Sequence, residues 1–163
     1  MCWSLNLREL HIMAHQLALT LDFELLPNLT LFNLQNTEVT NTEIHFPPLL
    51  QNLAMTMTKL ESISGFHFPP TLFSIELNTN SLETVQGVVW PPLLESLDLC
   101  NNRLTSLEGV LWPESLRGLK LYKNSLVLNR GCWPRNLKCL DLGPNVSVNN
   151  VTFPDSLQNL FLL

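Results

Sequence analysis

The stretch WPPLLESLDLCNNRLTSL, Trp90 to Leu107, decides the fold. It opens on an aromatic-proline pair and runs through Leu94, Leu97, Leu99, Asn102, Leu104 and Leu107. Leu97, Asp98 and Leu99 alternate, so one set of side chains points inward and the other outward, the mark of a short half-buried strand. The same skeleton returns along the whole chain. Aligned on its first leucine, it starts at Leu7, Leu29, Leu50, Leu72, Leu94, Leu116, Leu137 and Leu157, at spacings of 22, 21, 22, 22, 22, 21 and 20 residues. Composition alone does not produce such regularity over eight units.

Each unit therefore predicts one short strand, and successive strands stack in parallel about 4.8 Å apart, with their outward residues tiling a concave face. The inward leucines form the core, each worth roughly 1.5–3 kcal/mol when fully buried. After the strand the chain must turn, leaving backbone groups inside the coil that need partners, and an asparagine amide can both donate and accept. Asn80, Asn102, Asn124 and Asn145 stand at that position, while the first three units place His15, Thr37 and Thr58 there. Threonine has the shorter hydrogen-bonding reach, which predicts a looser N-terminal half.

The return path carries Gly65, Gly87 and Gly109, then Phe66, Val88 or Val110, then an aromatic-proline pair. Six such pairs stand in series, from Phe46-Pro47 and Phe68-Pro69 through Trp90-Pro91, Trp112-Pro113 and Trp133-Pro134 to Phe153-Pro154. Proline removes an amide donor and disfavours helix at the preceding residue, so an extended, polyproline-like or 3₁₀ convex side is expected, with little or no α-helix. One aromatic per unit at fixed phase reads as a packing spine.

The totals agree with a folded chain: of 163 residues, 45% are hydrophobic and 14% charged. The net charge of −5 is uneven: Met1 to Leu99 holds two basic and ten acidic residues (−8), and Cys100 to Leu163 seven basic and four acidic (+3). An acidic total with one modest basic cluster disfavours nucleic acid as a partner. Cys2, Cys100, Cys132 and Cys139 lack metal-ligand spacing and read as free thiols in a reducing compartment. No run of eighteen apolar residues and no signal peptide is seen, so no membrane association and a cytoplasmic location are expected.

The aromatic-proline unit with L-x-x-L-x-L-x-x-N-x-L resembles the leucine-rich repeats, specifically the short bacterial-type repeats of secreted effectors. It resembles equally the aromatic-proline repeats of lower-eukaryote proteins, some of which carry kinase domains. The resemblance implies an α/β-class leucine-rich-repeat solenoid of the right-handed β-α-superhelix type, with about eight parallel strands. One domain spans 1–163, with units starting near 3, 25, 46, 68, 90, 112, 133 and 153. The chain starts in phase and stops within its last unit, which reads as a fragment lacking both capping repeats and open to end-to-end contacts. The resemblance also implies a protein-protein interaction module that binds a protein or peptide and has no catalysis or cofactor of its own. Its alternatives are the targeting arm of a larger kinase or ubiquitin ligase, or a piece of an extracellular receptor. Only in a secreted chain would the sequons at Asn28, Asn145 and Asn150 matter.

The recognition surface expected from the register is the concave face. Its outward residues at the centre are Ser74, Glu76 and Asn78, then Ser96, Asp98 and Cys100, then Gly118, Lys120 and Tyr122, then Cys139, Asp141 and Gly143. Glu76, Asp98, Lys120 and Asp141 share one column, and exposed pairs along it are worth about 0–1 kcal/mol each as a charge ladder. With Asn78, Tyr122 and Lys123 they form a single central patch that mixes charge, hydrogen bonding and an aromatic, and tyrosine is enriched at binding hot spots. His11 and His15 fall on a strand and the turn after it, so no metal site is expected from them. The face spans roughly 34 by 15 Å, on the order of 500 Å² in projection. That is below the ~800 Å² a stable interface buries on each partner, so binding by this chain alone is expected to be weak.

Overall fold

The computed structural model describes residues 4–13, 18–19, 23, 26–40, 43–128, 133–144, 148 and 151–162. Among them the chain forms twelve strands and no helix. In order these are β1 (Glu9–Met13), β2 (Ala18–Leu19), β3 (Leu31–Gln35), β4 (Glu38–Val39), β5 (Ile44–His45), β6 (Asn52–Thr56), β7 (Phe66–His67), β8 (Ser74–Glu76), β9 (Ser96–Asp98), β10 (Gly118–Lys120), β11 (Cys139–Asp141) and β12 (Asn159–Phe161). One sheet of eight parallel strands, ordered β1-β3-β6-β8-β9-β10-β11-β12, takes one strand from each unit. Two further parallel pairs, β2 with β4 and β5 with β7, form away from that sheet. The molecule is a parallel-sheet solenoid.

The periodicity explains each part of a coil. Strand alternation buries Leu97 and Leu119 completely while their neighbours face out, and the buried leucines, with Ile75 and Phe32, make one continuous core. Proline sets the turn into six of the eight strands of the large sheet: the Pro91 carbonyl accepts the Leu94 amide at 3.1 Å, as Pro47, Pro69, Pro113, Pro134 and Pro154 do for Leu50, Leu72, Leu116, Leu137 and Leu157. In the second unit Pro27 stands one residue later, and the Leu26 carbonyl takes over, accepting the Leu29 amide. Farther back on the return path, Val88 donates to the Val85 carbonyl across a turn whose third residue, Gly87, has φ +77°. That positive φ is the reason for glycine there.

The aromatics stack in a column. Phe46 and Phe68 lie 5.6 Å apart and near-parallel, Phe68 and Trp90 5.9 Å, Trp90 and Trp112 6.1 Å, and Trp133 and Phe153 5.8 Å. These spacings lie in the favourable range for aromatic pairs.

The asparagines bridge coils rather than bonding to one another. Asn102 Nδ2 donates to the Leu77 carbonyl of the preceding coil and to Leu99 of its own, both at 3.0 Å, and to Cys100 at 3.2 Å. Its Oδ1 accepts the Leu82 amide at 3.0 Å. Asn80 and Asn124 repeat the arrangement against Met55, Leu77 and Leu60, and against Leu99, Leu121 and Leu104. Thr58, fully buried, joins through its hydroxyl and amide, which lie 3.0 and 2.9 Å from Asn80 Oδ1. Asn145 and His15 lie outside the described residues.

Sheet pairing is longer in the N-terminal coils, contrary to the looser half that their threonines suggested. The β1–β3 and β3–β6 registers run for five residues, and every later one for three. The change falls where asparagine first appears. One more step of parallel pairing between β8 and β9 would bring the Cys100 amide to the Leu77 carbonyl. Asn102 holds that carbonyl instead, and the Cys100 amide is taken by Asp98 Oδ1 at 3.0 Å.

The residue before each bridge is left-handed: Asn36, Met57, Thr79, Asn101 and Lys123 all have φ between 53° and 58°. In the next coil that position is Pro144, whose ring forbids a positive φ, and the left-handed residue moves one step back to Gly143, at φ +66°. A Cβ on Gly143 would lie 2.8 Å from Tyr122 Cβ.

Two stability predictions result. Asn102→Leu removes the partner of four backbone groups and lowers stability by at least about 2 kcal/mol, a fall in Tm of roughly 4–8 °C by thermal melting. Gly143→Ala adds left-handed strain to a contact against backbone-anchored Tyr122, and a denaturant titration should show a loss of about 1–3 kcal/mol.

Candidate functional site

The register of the large sheet assembles the face column by column. Ala54, Glu76, Asp98, Lys120, Asp141 and Phe161 align across six strands. Beyond the strand ends, Thr79 donates to the Cys100 carbonyl and Asn101 to that of Tyr122, both at 2.9 Å, so the next column runs Asn78, Cys100, Tyr122 and Gly143. Backbone pairing below and core leucines behind hold these positions in place.

The aspartates of the charged column are largely committed to the fold. Asp98, with a side chain only 15% exposed, spends Oδ1 on the Cys100 amide and Oδ2 on Lys120 Nζ at 3.3 Å. Asp141 Oδ1 likewise accepts the Gly143 amide at 3.2 Å. Asp98 thereby closes the turn that the Asn102 bridge displaces from the sheet, while the Gly143 amide is shared between Asp141 and the Phe161 carbonyl at 3.3 Å. Lys120 and Asp98 are the ion pair found along the column among the described residues, and Asp98 holds the Lys120 ammonium above its ordinary range. Glu76 stays exposed one strand further on.

Tyr122 is half-buried against Gly143, and Lys123 Nζ lies 5.7 Å from its ring centroid, within cation-π reach. Lys123 itself occupies the left-handed turn position at the rim of the sheet. Asn78 is half-buried, and its Oδ1 is buried with no partner among the described residues. Glu76, Lys120, Tyr122 and Lys123 thus keep polar or aromatic atoms on the surface, whereas Asp98, Asp141 and Asn78 turn theirs inward.

Cys100 does not face outward as its place in the alternation suggested: it is 1% exposed. Strand alternation has ended at that residue, because the amide bends back to Asp98 and the chain enters its left-handed turn at Asn101. Burial, reinforced by the Asp98 carboxylate, pushes the Cys100 thiol far above its ordinary value.

Two features of the side chains had no counterpart in the sequence reading. Where it is polar, the residue just before the first leucine supplies a second set of bridges between coils in several units. Thr71 Oγ1 donates to the Leu50 carbonyl at 2.7 Å, Ser115 Oγ to Leu94 at 2.7 Å, Asn136 Nδ2 to Glu114 at 3.0 Å and Ser156 Oγ to Leu137 at 2.8 Å. The other is a cluster on the β5–β7 pair. His45 and His67 stack with centroids 4.2 Å apart, and Glu43 Oε1 lies 3.3 and 3.4 Å from their Nε2 atoms. The signal was present in the repeat, since the two histidines are 22 residues apart at the same phase, Ile-His-Phe-Pro and Phe-His-Phe-Pro.

Repeated short strands, asparagines that bridge coils at Asn80, Asn102 and Asn124, and a return path without helix among the described residues define a leucine-rich-repeat solenoid. Among solved structures the chain is similar to YopM from Yersinia enterocolitica WA-314, with 22% identity and a TM-score of 0.53. The match covers 94% of this chain and 41% of that one, so the chain spans less than half the length of its neighbour. No protein-family model matches the sequence, nor does any curated protein. Among the described residues no helix is long and apolar enough to cross a membrane.

The burial of Cys100 has a direct chemical consequence. In the native protein at pH 8, iodoacetamide should leave Cys100 unmodified, and peptide mapping should find it alkylated only after denaturation. The sign of the pH effect follows from the raised folded-state value. The stabilisation is complete below the unfolded thiol's 9.0 and is lost as the pH rises past it.

Proposed function

We propose that this chain is a protein-recognition module that binds a protein or peptide segment on the open face of its large sheet, with no catalysis or cofactor of its own. The observation that carries the reading is the patch where Lys120 ends its strand and Tyr122, with Lys123 5.7 Å from its ring, follows at the rim of the sheet. Glu76 lies one strand beyond Asp98. A half-buried tyrosine loses little conformational freedom on binding and offers both an apolar ring and a hydroxyl. The two lysines sit where the chain's charge changes sign, between a half at −8 and a half at +3.

The partner that suits this patch is a protein segment presenting a carboxylate to Lys120 and Lys123 and an apolar group to Tyr122. The exposed bases Arg135 and Lys138 lie on the side of the sheet where the strands begin, opposite Lys123, and as solvated rim charges they act on association rate more than on affinity. Nucleic acid is not part of the proposal, because the chain as a whole is acidic, with nine basic residues against fourteen acidic ones. The small face argues for weak binding by these eight coils alone.

Immobilised chain, compared with a Lys120→Ala, Tyr122→Ala double variant of equal melting temperature, tests the patch. Partners held by the parent should bind the variant at least tenfold more weakly, and more weakly in high salt. Equal retention by both would place recognition elsewhere.

A further inference from the structure

We infer that Glu43, His45 and His67 form a binding site for a divalent transition-metal ion, with Zn²⁺ the ion that suits them best. The three ligand atoms lie within 4.8 Å of one another. Glu43 Oε1 is 3.3 Å from His45 Nε2 and 3.4 Å from His67 Nε2. Zinc binds imidazole nitrogen and carboxylate oxygen at about 2.0–2.1 Å, and the edge of a tetrahedron built on such bonds is about 3.4 Å. Two of the three ligand separations therefore already match bound geometry. The stacked rings, inclined by only 4°, must rotate to turn both Nε2 lone pairs onto one point. Their exposure leaves room for this, since the side chains are 72% and 56% accessible.

The backbone beneath the three is preorganised. Parallel pairing of β5 with β7 sets His45 directly beside His67, and the same pairing sets Ile44 beside Phe66. Ile44 and Phe66 are buried in the core, while Phe46 and Phe68 immediately after the histidines stack in the aromatic column. Each histidine is thus pinned on both sides by core residues while its ring stands in solvent. Two imidazoles and a carboxylate favour zinc, copper or nickel over calcium or magnesium, which prefer all-oxygen ligands. Three protein ligands leave the fourth tetrahedral position to water or to a group from outside the chain. The surrounding half of the chain, at −8, favours a cation.

Without a metal, the same contacts amount to one exposed hydrogen bond between His45 and Glu43 and a charge contact between Glu43 and His67, and the experiment separates the two states. Isothermal titration of the full chain with Zn²⁺ alone, at pH 7.5 with a non-thiol reductant, is compared with a His45→Asn, His67→Asn double variant and with Glu43→Gln. All three positions are exposed, and unchanged melting curves would confirm that the fold is kept. The double variant should lose one bound equivalent outright, and Glu43→Gln should bind at least tenfold more weakly. Cobalt substitution should give the visible absorption of a tetrahedral ion in the parent and not in the double variant. Equal uptake by parent and double variant would assign zinc to the cysteines or other histidines and overturn the proposal, as would no uptake by the parent.

Discussion

One side-chain amide serving two coils at once is the constraint on which the solenoid depends. Each coil must turn after its strand, and the turn leaves carbonyls and amides inside the molecule where water cannot reach them. Asn102 answers with one group, donating backward to Leu77, inward to Leu99 and accepting from Leu82. Its bonds cross the boundary between coils, so each coil is completed by its neighbour and stability is shared pairwise along the chain. The cost of that solution appears in the sheet. The carbonyl given to asparagine is withdrawn from strand pairing, the strand shortens, and the amide left over requires an acceptor of its own. Asp98 is that acceptor for Cys100, and Asp141 shares the Gly143 amide with the Phe161 carbonyl, which makes two carboxylates on the open face parts of the turn.

The strand register was legible in the sequence because the core sets it. Ile75, Leu97 and Leu119 cannot slip by one residue without turning every buried side chain of their strands to solvent. Their spacing alone therefore pairs Glu76 with Asp98 and Asp98 with Lys120. Cys100 was not legible, because alternation holds only while the strand lasts and nothing local announces that Asn102 will end it two residues early. The second set of bridges was hidden by its irregular chemistry. Threonine, serine and asparagine take turns at one phase, and Leu49 and Leu93, exposed apolar residues, interrupt them. Pro144 did carry a signal, since a proline cannot be left-handed. It becomes readable only once the left-handed residue in five other coils is known.

The sheet face and the return path are constrained differently. On the sheet face, polar side chains are drawn into the turns, so carboxylates that look like a charge ladder are partly consumed, and Glu76, the lysines and Tyr122 are what remains outward. The position before each aromatic on the return path meets no such demand. In four successive coils it holds His45, His67, Val89 and Leu111, and the last two are 84% and 82% exposed. A phase that accepts two histidines, a valine and a leucine is not selected by packing, hydrogen bonding or backbone conformation. The fold therefore accounts for the alignment of the two histidines but not for their being histidines, and Glu43, at the phase where the next three coils carry Gly65, Gly87 and Gly109, is placed where both rings can meet it. Alignment by the repeat and identity independent of it is the combination a binding site built on a solenoid requires.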